Sequence, residues 1–338
     1  YISPSSTSAY RYNAFFSQLN YNLRNRYILN LSTRRDGSSR FGAENRFHNF
    51  GSIGAAWIFS EEQLLKGNLT FLSFGKINAS YGTTGNDQIG NYAYLSNYRY
   101  INSNINYQNI NGLTADGIAN PYIQWELTKK LNFGLELGFL KDRLLFSGNV
   151  YRNRSSNQLI DYSLPTTAGF QSVLQNLPAL VQNTGFEFSL NSINIQKKTF
   201  KWTSSFNISK NSNKLLAYPG LESSSFANNL IIGQPTSINI LYKFYDVDPA
   251  TGQYRFVLKD GTISSTPGDG SENKIVAFDT RPSLLGGLQN NITYKSVELS
   301  FFFQSVKQKG LSVLYSTNGG VPPGYTRQNQ INSVLERW

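Results

Sequence analysis

One segment of this chain joins an alternating β-strand to a polar loop that no soluble core would bury. Along residues 27–34 the side chains run Tyr, Ile, Leu, Asn, Leu, Ser, Thr and Arg, so that one face is mainly apolar and the other mainly polar. The residues that follow, up to Gly42, form a polar loop that contains glycine. A strand that ends in such a loop, with comparable strands further along the chain, predicts a membrane β-barrel.

The two-residue period recurs down the chain. It is clearest at 131–139 and 144–151, which flank Lys141-Asp142 and predict a hairpin with a very short connection. The other expected strands lie around 10–22, 26–36, 47–59, 70–82, 186–191, 202–209, 284–292 and 297–304. The pattern therefore predicts about ten antiparallel strands. A soluble β-sandwich would show the same period, so periodicity alone does not separate the two architectures.

The connections between these strands favour the membrane interpretation. Turns near 24, 141, 197 and 295 are short, whereas the opposite connections at 83–122, 154–178 and 211–280 are long and the one at 36–46 is intermediate. Short periplasmic turns and long extracellular loops are the pattern of outer-membrane barrels. Residues 60–66 are the exception on the short side and predict a single helical turn capped by Ser60.

The composition suits a barrel better than a helical membrane protein. Apolar residues make up 39% of the 338 residues, yet aromatic residues reach 14%, with 21 Tyr and 23 Phe. No run approaches the roughly 20 apolar residues that a membrane helix needs. In a barrel only alternate residues face lipid, and aromatic side chains form belts at the interfaces.

Cysteine is absent, which excludes disulfides, zinc–thiolate sites and cysteine nucleophiles from this chain. The net charge of +11 comes from basic residues scattered near predicted turns rather than from a dense block. This distribution argues against nucleic-acid binding and favours contact with outer-membrane lipid and the phosphates of lipopolysaccharide. The chain begins at Tyr1 and contains no Met, so we expect an internal segment of a longer protein.

Several motifs, in order, resemble those of the SusC/RagA-like TonB-dependent transporters of Bacteroidetes-type outer membranes. They are the RRDGSSRFG run at 34–42, YGTTGN at 81–86 with IGNY at 89–92, NP and WE at 120–121 and 125–126, NTGFE at 183–187, DPATG at 248–252, and the closing run 331–338. One such match is weak, but a series of them in the family's order is specific.

The resemblance implies that residues 1–338 are a partial TonB-dependent receptor β-barrel domain, about ten strands of a barrel of roughly 22 strands with a plugged lumen. The family's plug, its TonB-contacting segment and its last strands are not among these residues. The family also implies uptake of oligosaccharides or peptides, energised through the TonB complex and assisted by a SusD-like lipoprotein lid. The acidic repeat that follows DPATG in the family is reduced here to 259–261 and 268–270, so we expect no calcium site and no cofactor.

Two groups of residues are candidates for contact with substrate or partner. Arg34, Arg35, Asp36 and Arg40 could bind an anionic or hydroxyl-rich ligand, although salt bridges that join the strand end to loops or plug are the favoured interpretation. The second group shares one long loop and consists of Tyr92, Tyr94, Tyr98, Tyr100 and Tyr107. These rings suit stacking on a sugar, gripping a peptide or packing against a lid.

Other polar residues have simpler expected roles. The polar strand faces place Asn132, Glu136, Glu187 and Asn207 towards the lumen. His48 is the one histidine, and neither a catalytic triad nor a metal site has local support around it. Glu61 and Glu62 are expected to favour a helix N-terminus, and Asp246, Asp248 and Asp260 to form turns rather than a cation site.

Three functions remain open from the sequence. The leading one is the barrel of a nutrient importer, which makes and breaks no bond itself. The second is a barrel that serves as a structural or docking component of an outer-membrane assembly. The third is a secreted β-sandwich that binds or hydrolyses carbohydrate, which would require a convergent carboxylate pair for catalysis; the loop asymmetry and the ordered motifs argue against it.

Overall fold

The computed structural model describes residues 7–66, 69–101, 106–108, 110–268 and 273–310, without the side chains of 106, 107, 110 and 111. Its strands are, in chain order, β1 Tyr12–Leu23, β2 Tyr27–Ser38, β3 Phe47–Trp57, β4 Leu72–Asn86, β5 Tyr98–Tyr100, β6 Asn106–Tyr107, β7 Ile110–Asn111, β8 Leu113–Ala115, β9 Glu126–Phe139, β10 Leu144–Ser163, β11 Ser172–Gln196, β12 Phe200–Ala217, β13 Ile238–Leu241, β14 Lys243–Val247, β15 Tyr254–Val257, β16 Ile263–Ser264, β17 Val276–Asp279, β18 Leu284–Tyr294 and β19 Val297–Lys307. Short 3-10 helices occupy Phe59–Glu61, Thr166–Ala168 and Leu221–Ser223. In the part of the chain that the structure describes, no helix has both the length and the apolar character needed to cross a membrane.

Ten of these strands form one antiparallel sheet in the order β1-β2-β3-β4-β9-β10-β11-β12-β18-β19. Each strand pairs with the next one of the set, so the sheet is a simple meander. Among the described residues β1 pairs only with β2 and β19 only with β18, which leaves the sheet open at both edges. The prediction of an all-β fold with about ten barrel strands is confirmed, and the sheet is a segment of a larger barrel.

One end of the sheet carries the short turns that the sequence predicts. Residues 24–26, 140–143, 197–199 and 295–296 connect successive strands there. The backbone of Arg24, Asn25, Leu140, Lys141, Asp142 and Lys295 has positive φ at these turns. Left-handed residues of this kind give tight hairpin turns whose twist matches that of the strands.

The opposite end differs from the prediction in one hairpin. Residues 154–178 were expected to form a long loop, but β10 extends to Ser163 and β11 begins at Ser172, so the connection is only 164–171. A bulge between Ser156 and Gln158, where Asn157 has a φ of 57°, shifts the side-chain phase of the strand. The expectation of a loop there was wrong because the shift interrupts the alternation.

The other long connections contain structure of their own. The segment between β4 and β9 holds two small hairpins, β5 with β8 and β6 with β7. The segment between β12 and β18 holds the pair β13 with β17 and the three-stranded sheet of β14, β15 and β16. These loops are therefore built from short strands rather than from irregular chain.

On the short-turn side, the expected helical turn begins earlier than predicted. It is a 3-10 helix at Phe59–Glu61 whose N-cap is Ile58, and no side chain caps it. The predicted Ser60 cap is wrong, because Ser60 lies inside the turn and its Oγ is buried without a partner. Glu62 instead accepts hydrogen bonds from Tyr27 Oη at 2.6 Å and Trp57 Nε1 at 3.1 Å.

The register gives the sheet two chemically different faces. Directly paired residues point to the same side, so the row Ile77–Leu135–Gly148–Phe188–Ile208 lies on one face. The adjacent row, Lys76–Glu136–Ser147–Ser189–Asn207, lies on the other. We call these the apolar face and the polar face; polar residues inside and apolar residues outside are the arrangement of a membrane barrel.

The described residues contain two compact hydrophobic clusters, and both lie at the long-loop end. One consists of Phe41, Phe50, Ile123 and Trp125, and the other of Leu177, Ala179, Leu215, Tyr218 and Leu221. Most other large apolar side chains are exposed on the sheet. Hydrophobic burial within the chain therefore organises the loops, whereas the strands present their apolar side chains outwards.

Candidate functional site

The motif residues at the long-loop end converge on the carboxylate of Asp87. Tyr10 Oη and Ser38 Oγ donate to Asp87 Oδ2 at 2.7 and 2.8 Å. Arg40 donates from Nη1 to the Asp87 carbonyl oxygen at 3.0 Å and from Nε to Asn91 Oδ1, also at 3.0 Å. We call these five residues the Asp87 knot; it joins the loop at 38–42 to the loop at 87–92.

Charge reinforces the Asp87 knot. The Arg40 guanidinium lies 4.2 Å from the centre of the Tyr10 ring, a cation–π contact, and its Nη1 lies 4.0 Å from Asp87 Oδ2. Burial and the hydrogen bond to Asp87 raise the pKa of the Tyr10 hydroxyl, which therefore remains a donor at neutral pH. Arg40 is thus engaged by protein groups on several sides.

A cluster of aromatic side chains lies beside the Asp87 knot. Phe41 is fully buried, with its ring centre 5.0 Å from that of Trp125, which in turn lies 5.7 Å from Phe50. Ile123 is also fully buried there. We call Phe41, Phe50, Ile123 and Trp125 the aromatic cluster; it holds the RRDGSSRFG loop against the NP–WE segment.

Gly42 allows the backbones of these two segments to meet. A Cβ at Gly42 would lie 2.7 Å from the carbonyl oxygen of Pro121, a contact that the backbone could relieve only by moving. Asn45 Nδ2 donates to the Tyr122 carbonyl oxygen at 3.1 Å, and Asn120 Nδ2 donates to the Leu174 carbonyl oxygen at 2.9 Å. The two motifs therefore form one scaffold that also reaches β11.

The arginines that begin the RRDGSSRFG run lie on opposite faces of β2. Arg34 lies on the polar face, where Nε donates to Asp36 Oδ1 at 2.5 Å and Nη2 to Tyr12 Oη at 2.8 Å. Arg35 lies on the apolar face, with its guanidinium 5.3 Å from the Phe47 ring and Nη1 3.3 Å from Asn49 Oδ1. Arg34 and Asp36 thus share one surface, and Arg35 does not contribute to it.

The five candidate tyrosines separate into two groups. Tyr92 and Tyr94 belong to the scaffold: the Tyr92 hydroxyl accepts from Ala9 N at 2.8 Å, and Tyr94 packs against the aromatic cluster. Tyr98 and Tyr100 lie on the β5–β8 hairpin and are 65% and 73% exposed. The backbone of Tyr107 pairs with Ile110, and its side chain lies outside the described residues.

The polar face brings together the remaining candidates. Lys76 Nζ lies 2.9 Å from Glu136 Oε1 across β4 and β9. Asn132 lies four residues away on the same side of β9. Glu187 and Asn207 line a cavity of about 310 Å³ together with Asn149. This face is lined by amide, hydroxyl and a few charged groups.

A larger cavity of about 570 Å³ lies on the sheet nearer the long loops. Its lining includes Arg34, Asp36 and Lys130, with Tyr12 and Ser32 beside them. Two cations and one carboxylate here surround a space that could receive a small polar group. Lys130 is a site residue that the sequence did not single out; its place two residues from Asn132 on the polar side of β9 was the available signal.

The acidic loop residues form turns. The backbone N–H of Ala250 donates to Asp248 Oδ1 at 2.9 Å and lowers the pKa of that carboxyl. Thr262 donates from its hydroxyl and its N–H to Asp260 Oδ1, which lowers the Asp260 pKa in the same way. Asp246 pairs instead with Arg255, at 2.6 and 2.5 Å. In the described ranges, no group of three or more His, Asp or Glu is placed to hold a metal ion.

His48 is held by packing rather than by partners that would support catalysis. Its ring centre lies 4.8 Å from that of Phe50, at the start of β3. Exposed aromatic residues that the sequence analysis did not single out lie on another loop sheet: Phe244 and Tyr245 on β14, and Tyr254 on β15. The alternation of aromatic residues just before DPATG was the signal for them.

Comparison with known proteins identifies relatives of this arrangement. The family model described as "TonB dependent receptor-like, beta-barrel" matches residues 2–329. The TonB-dependent receptor P26 of Formosa agariphila is 31% identical over 325 residues, covering 90% of this chain and 33% of that protein. The TonB-dependent receptor SusC of Bacteroides thetaiotaomicron is 30% identical, over 85% of this chain and 30% of that protein.

Solved structures give the same result. The chain is similar to one in the structure of the RagAB peptide transporter, with a TM-score of 0.78 and 28% identity over 89% of this chain and 34% of that one. A structure of the RagAB peptide importer in the "open-open" state gives a TM-score of 0.74 with 27% identity, over 89% of this chain and 33% of that one. The chain spans about a third of the length of the relatives that it matches.

Proposed function

Because this chain belongs to the TonB-dependent receptor-like β-barrel family, we propose that it forms part of an outer-membrane importer energised through TonB. The observation that carries the proposal is the polar face that continues across neighbouring strands of an otherwise lipid-facing sheet. In a barrel this face lines the lumen. The apolar face contacts outer-membrane lipid, and the scaffold of the Asp87 knot and the aromatic cluster lies on the extracellular side.

The lining of the polar face suggests the class of substrate. Along β9 to β12 it presents the amides of Asn132, Asn149 and Asn207 with serine hydroxyls between them. Such groups form hydrogen bonds equally well with hydroxyl-rich and amide-rich molecules. We infer that the cargo is a polar oligomer, either an oligosaccharide or a peptide, and that it crosses without any bond being made or broken.

Two partners belong to this proposal. A SusD-like lipoprotein lid would cover the extracellular loops, where the exposed rings of Tyr98 and Tyr100 offer large amphipathic contacts. The TonB complex would act on a plug domain that lies outside the residues described here. The arginines and aspartates of the shared motifs take a structural role, because Arg40 and Asp87 are already satisfied by neighbouring loops.

Uptake by the host bacterium tests the proposal. The gene is deleted and complemented, and cells are offered a panel of labelled oligosaccharides and peptides with and without an uncoupler of the proton gradient. The proposal expects at least one compound whose uptake requires the gene and stops when the gradient collapses. If every compound enters equally well without the gene, and the full-length protein purifies in a stable assembly without a lid, the docking role is favoured instead.

A matched pair of variants tests whether the polar face is the pathway. Asn149→Trp introduces a large ring beside the cavity that Glu187 and Asn207 line, whereas Val150→Trp places the same ring on the apolar face. We expect Asn149→Trp to reduce uptake and Val150→Trp to leave it close to that of the unmodified protein. Equal uptake by both variants, with both folded in the outer membrane, would contradict transport along this face.

A further inference from the structure

A group of basic side chains marks the upper limit of the apolar face. It consists of Lys129 on β9, Arg152 and Arg154 on β10, Lys210 and Lys214 on β12, and Lys307 on β19. The register places each of them on the same side as the apolar rows, and all six are exposed. We call this set the basic rim.

The height of the basic rim matches the boundary of a bilayer. Four of its members, Lys129, Arg154, Lys210 and Lys307, each lie ten residues from the short-turn end of their strand. At about 3.4 Å per residue this is roughly 34 Å along the strand. With a strand tilt of about 45° it becomes roughly 24 Å across the membrane, close to the apolar band of about 25 Å in such barrels.

The basic rim lacks compensating charge from the protein. Lys129 is directly opposite Arg154 in the register, and like charges in that position repel each other. The one hydrogen bond printed for Arg154 among the described residues joins its Nε to Gln182 Oε1 at 2.9 Å, a neutral partner. None of the six forms an ion pair with any other residue in the part of the chain that the structure describes.

A cavity extends the basic rim towards the loops. Lys210 and Lys307 line a space of about 360 Å³ together with Arg281, Lys309 and Asp279. The carboxylate of Asp279 is already paired with Arg281, at 3.2 and 3.1 Å. The cations of the rim therefore face a space that is large enough for a phosphate group and contains one neutralised carboxylate.

We propose that the basic rim binds the phosphate groups of lipids in the outer leaflet, and so fixes the depth of the barrel in the membrane. Phosphate oxygens accept strong charge-assisted hydrogen bonds from Lys and Arg, and the rim lies where such headgroups are found. The proposal rests on the membrane-barrel fold and not on import, so a failure of the uptake experiment would not affect it.

Binding of lipid A in neutral nanodiscs tests the proposal. The full-length protein is placed in phosphatidylcholine nanodiscs, and its affinity for lipid A is compared with that for chemically dephosphorylated lipid A. Each cation near an anionic lipid surface contributes about a fivefold change in binding. The variant Lys129→Gln/Arg154→Gln/Lys214→Gln should thus weaken binding of lipid A by about a hundredfold. The matched control Lys141→Gln/Lys197→Gln/Lys198→Gln removes equal charge at the short-turn end and should bind as the unmodified protein does.

The outcomes decide between distinct explanations. A preference of the unmodified protein for phosphorylated lipid A that is lost in the rim variant supports the proposal, and the comparison of the two lipids does not depend on whether the variant folds. Equal affinity for both lipids overturns it. Complete competition by millimolar inorganic phosphate also overturns it, because the rim would then be a site for small anions rather than for lipid.

Discussion

Phe41→Ala offers a direct test of the extracellular scaffold. The Phe41 side chain is 0% exposed and packs against Trp125, so truncation leaves a cavity that the surrounding loops can fill only by moving. Substitution of a buried Phe by Ala costs about 3–5 kcal/mol. Each 1.4 kcal/mol corresponds to about a tenfold change in an equilibrium constant, so local opening should increase by at least about a hundredfold.

Hydrogen exchange measured by mass spectrometry on the full-length protein in nanodiscs reads out this opening. Amides in the segments 38–46 and 87–95 should exchange about a hundredfold faster in Phe41→Ala, because opening of the scaffold limits their exchange. The strands β9 to β12 should keep their protection. Tyr122→Ala serves as the control, since it removes a ring that is 76% exposed beside the same cluster. If exchange in both segments changes less than in that control, the aromatic cluster does not hold the loops together.

Three further changes test other parts of the structure. Asp87→Ala removes the acceptor of two hydroxyl groups, which should cost about 1–3 kcal/mol and accelerate exchange in residues 7–11; unchanged exchange there would contradict the knot. Gly42→Ala should cost about 1–3 kcal/mol through its contact with the Pro121 carbonyl oxygen, seen as faster exchange in 120–125, whereas a silent substitution would contradict the close approach. Leu135→Arg should cost about 2–4 kcal/mol on the lipid side and lower the yield of folded, heat-modifiable barrel, whereas Asn132→Arg on the polar face should not; equal yields would argue against the orientation of the sheet.

Much of the barrel sheet could be predicted from the sequence because each strand encodes its own period. The hairpin around 141 and the turns near 24, 197 and 295 lie between uninterrupted alternating segments, and all of them are present. The extension of β10 beyond residue 154 could not be recognised in the same way. The left-handed residue Asn157 and the accompanying bulge change the phase of the pattern within a continuous strand.

The candidate site could be predicted only in part, because its contacts join distant segments. Arg40 and the Asp87 carbonyl oxygen are 47 residues apart, and no local pattern indicates that they meet. The positions of Arg34 and Arg35 were within reach of the sequence, since neighbours in a strand must point to opposite faces. The shared motif led the analysis to group them, although the strand period separates them. The Ser60 cap was wrong for a different reason: the turn begins one residue before the expected cap.

The alternation of lipid and lumen contact along β9 tests the central claim most directly. This chain has no cysteine, so single cysteines at successive positions from 132 to 137 can carry spin labels once any cysteines elsewhere in the full-length protein are replaced. In bilayers, the account predicts that collision with oxygen, which concentrates in lipid, peaks at Phe133, Leu135 and Leu137 and falls at the residues between them. Peaks at the intervening positions, or oxygen collision without a two-residue period, would contradict a barrel strand with its apolar face in lipid and its polar face on the lumen.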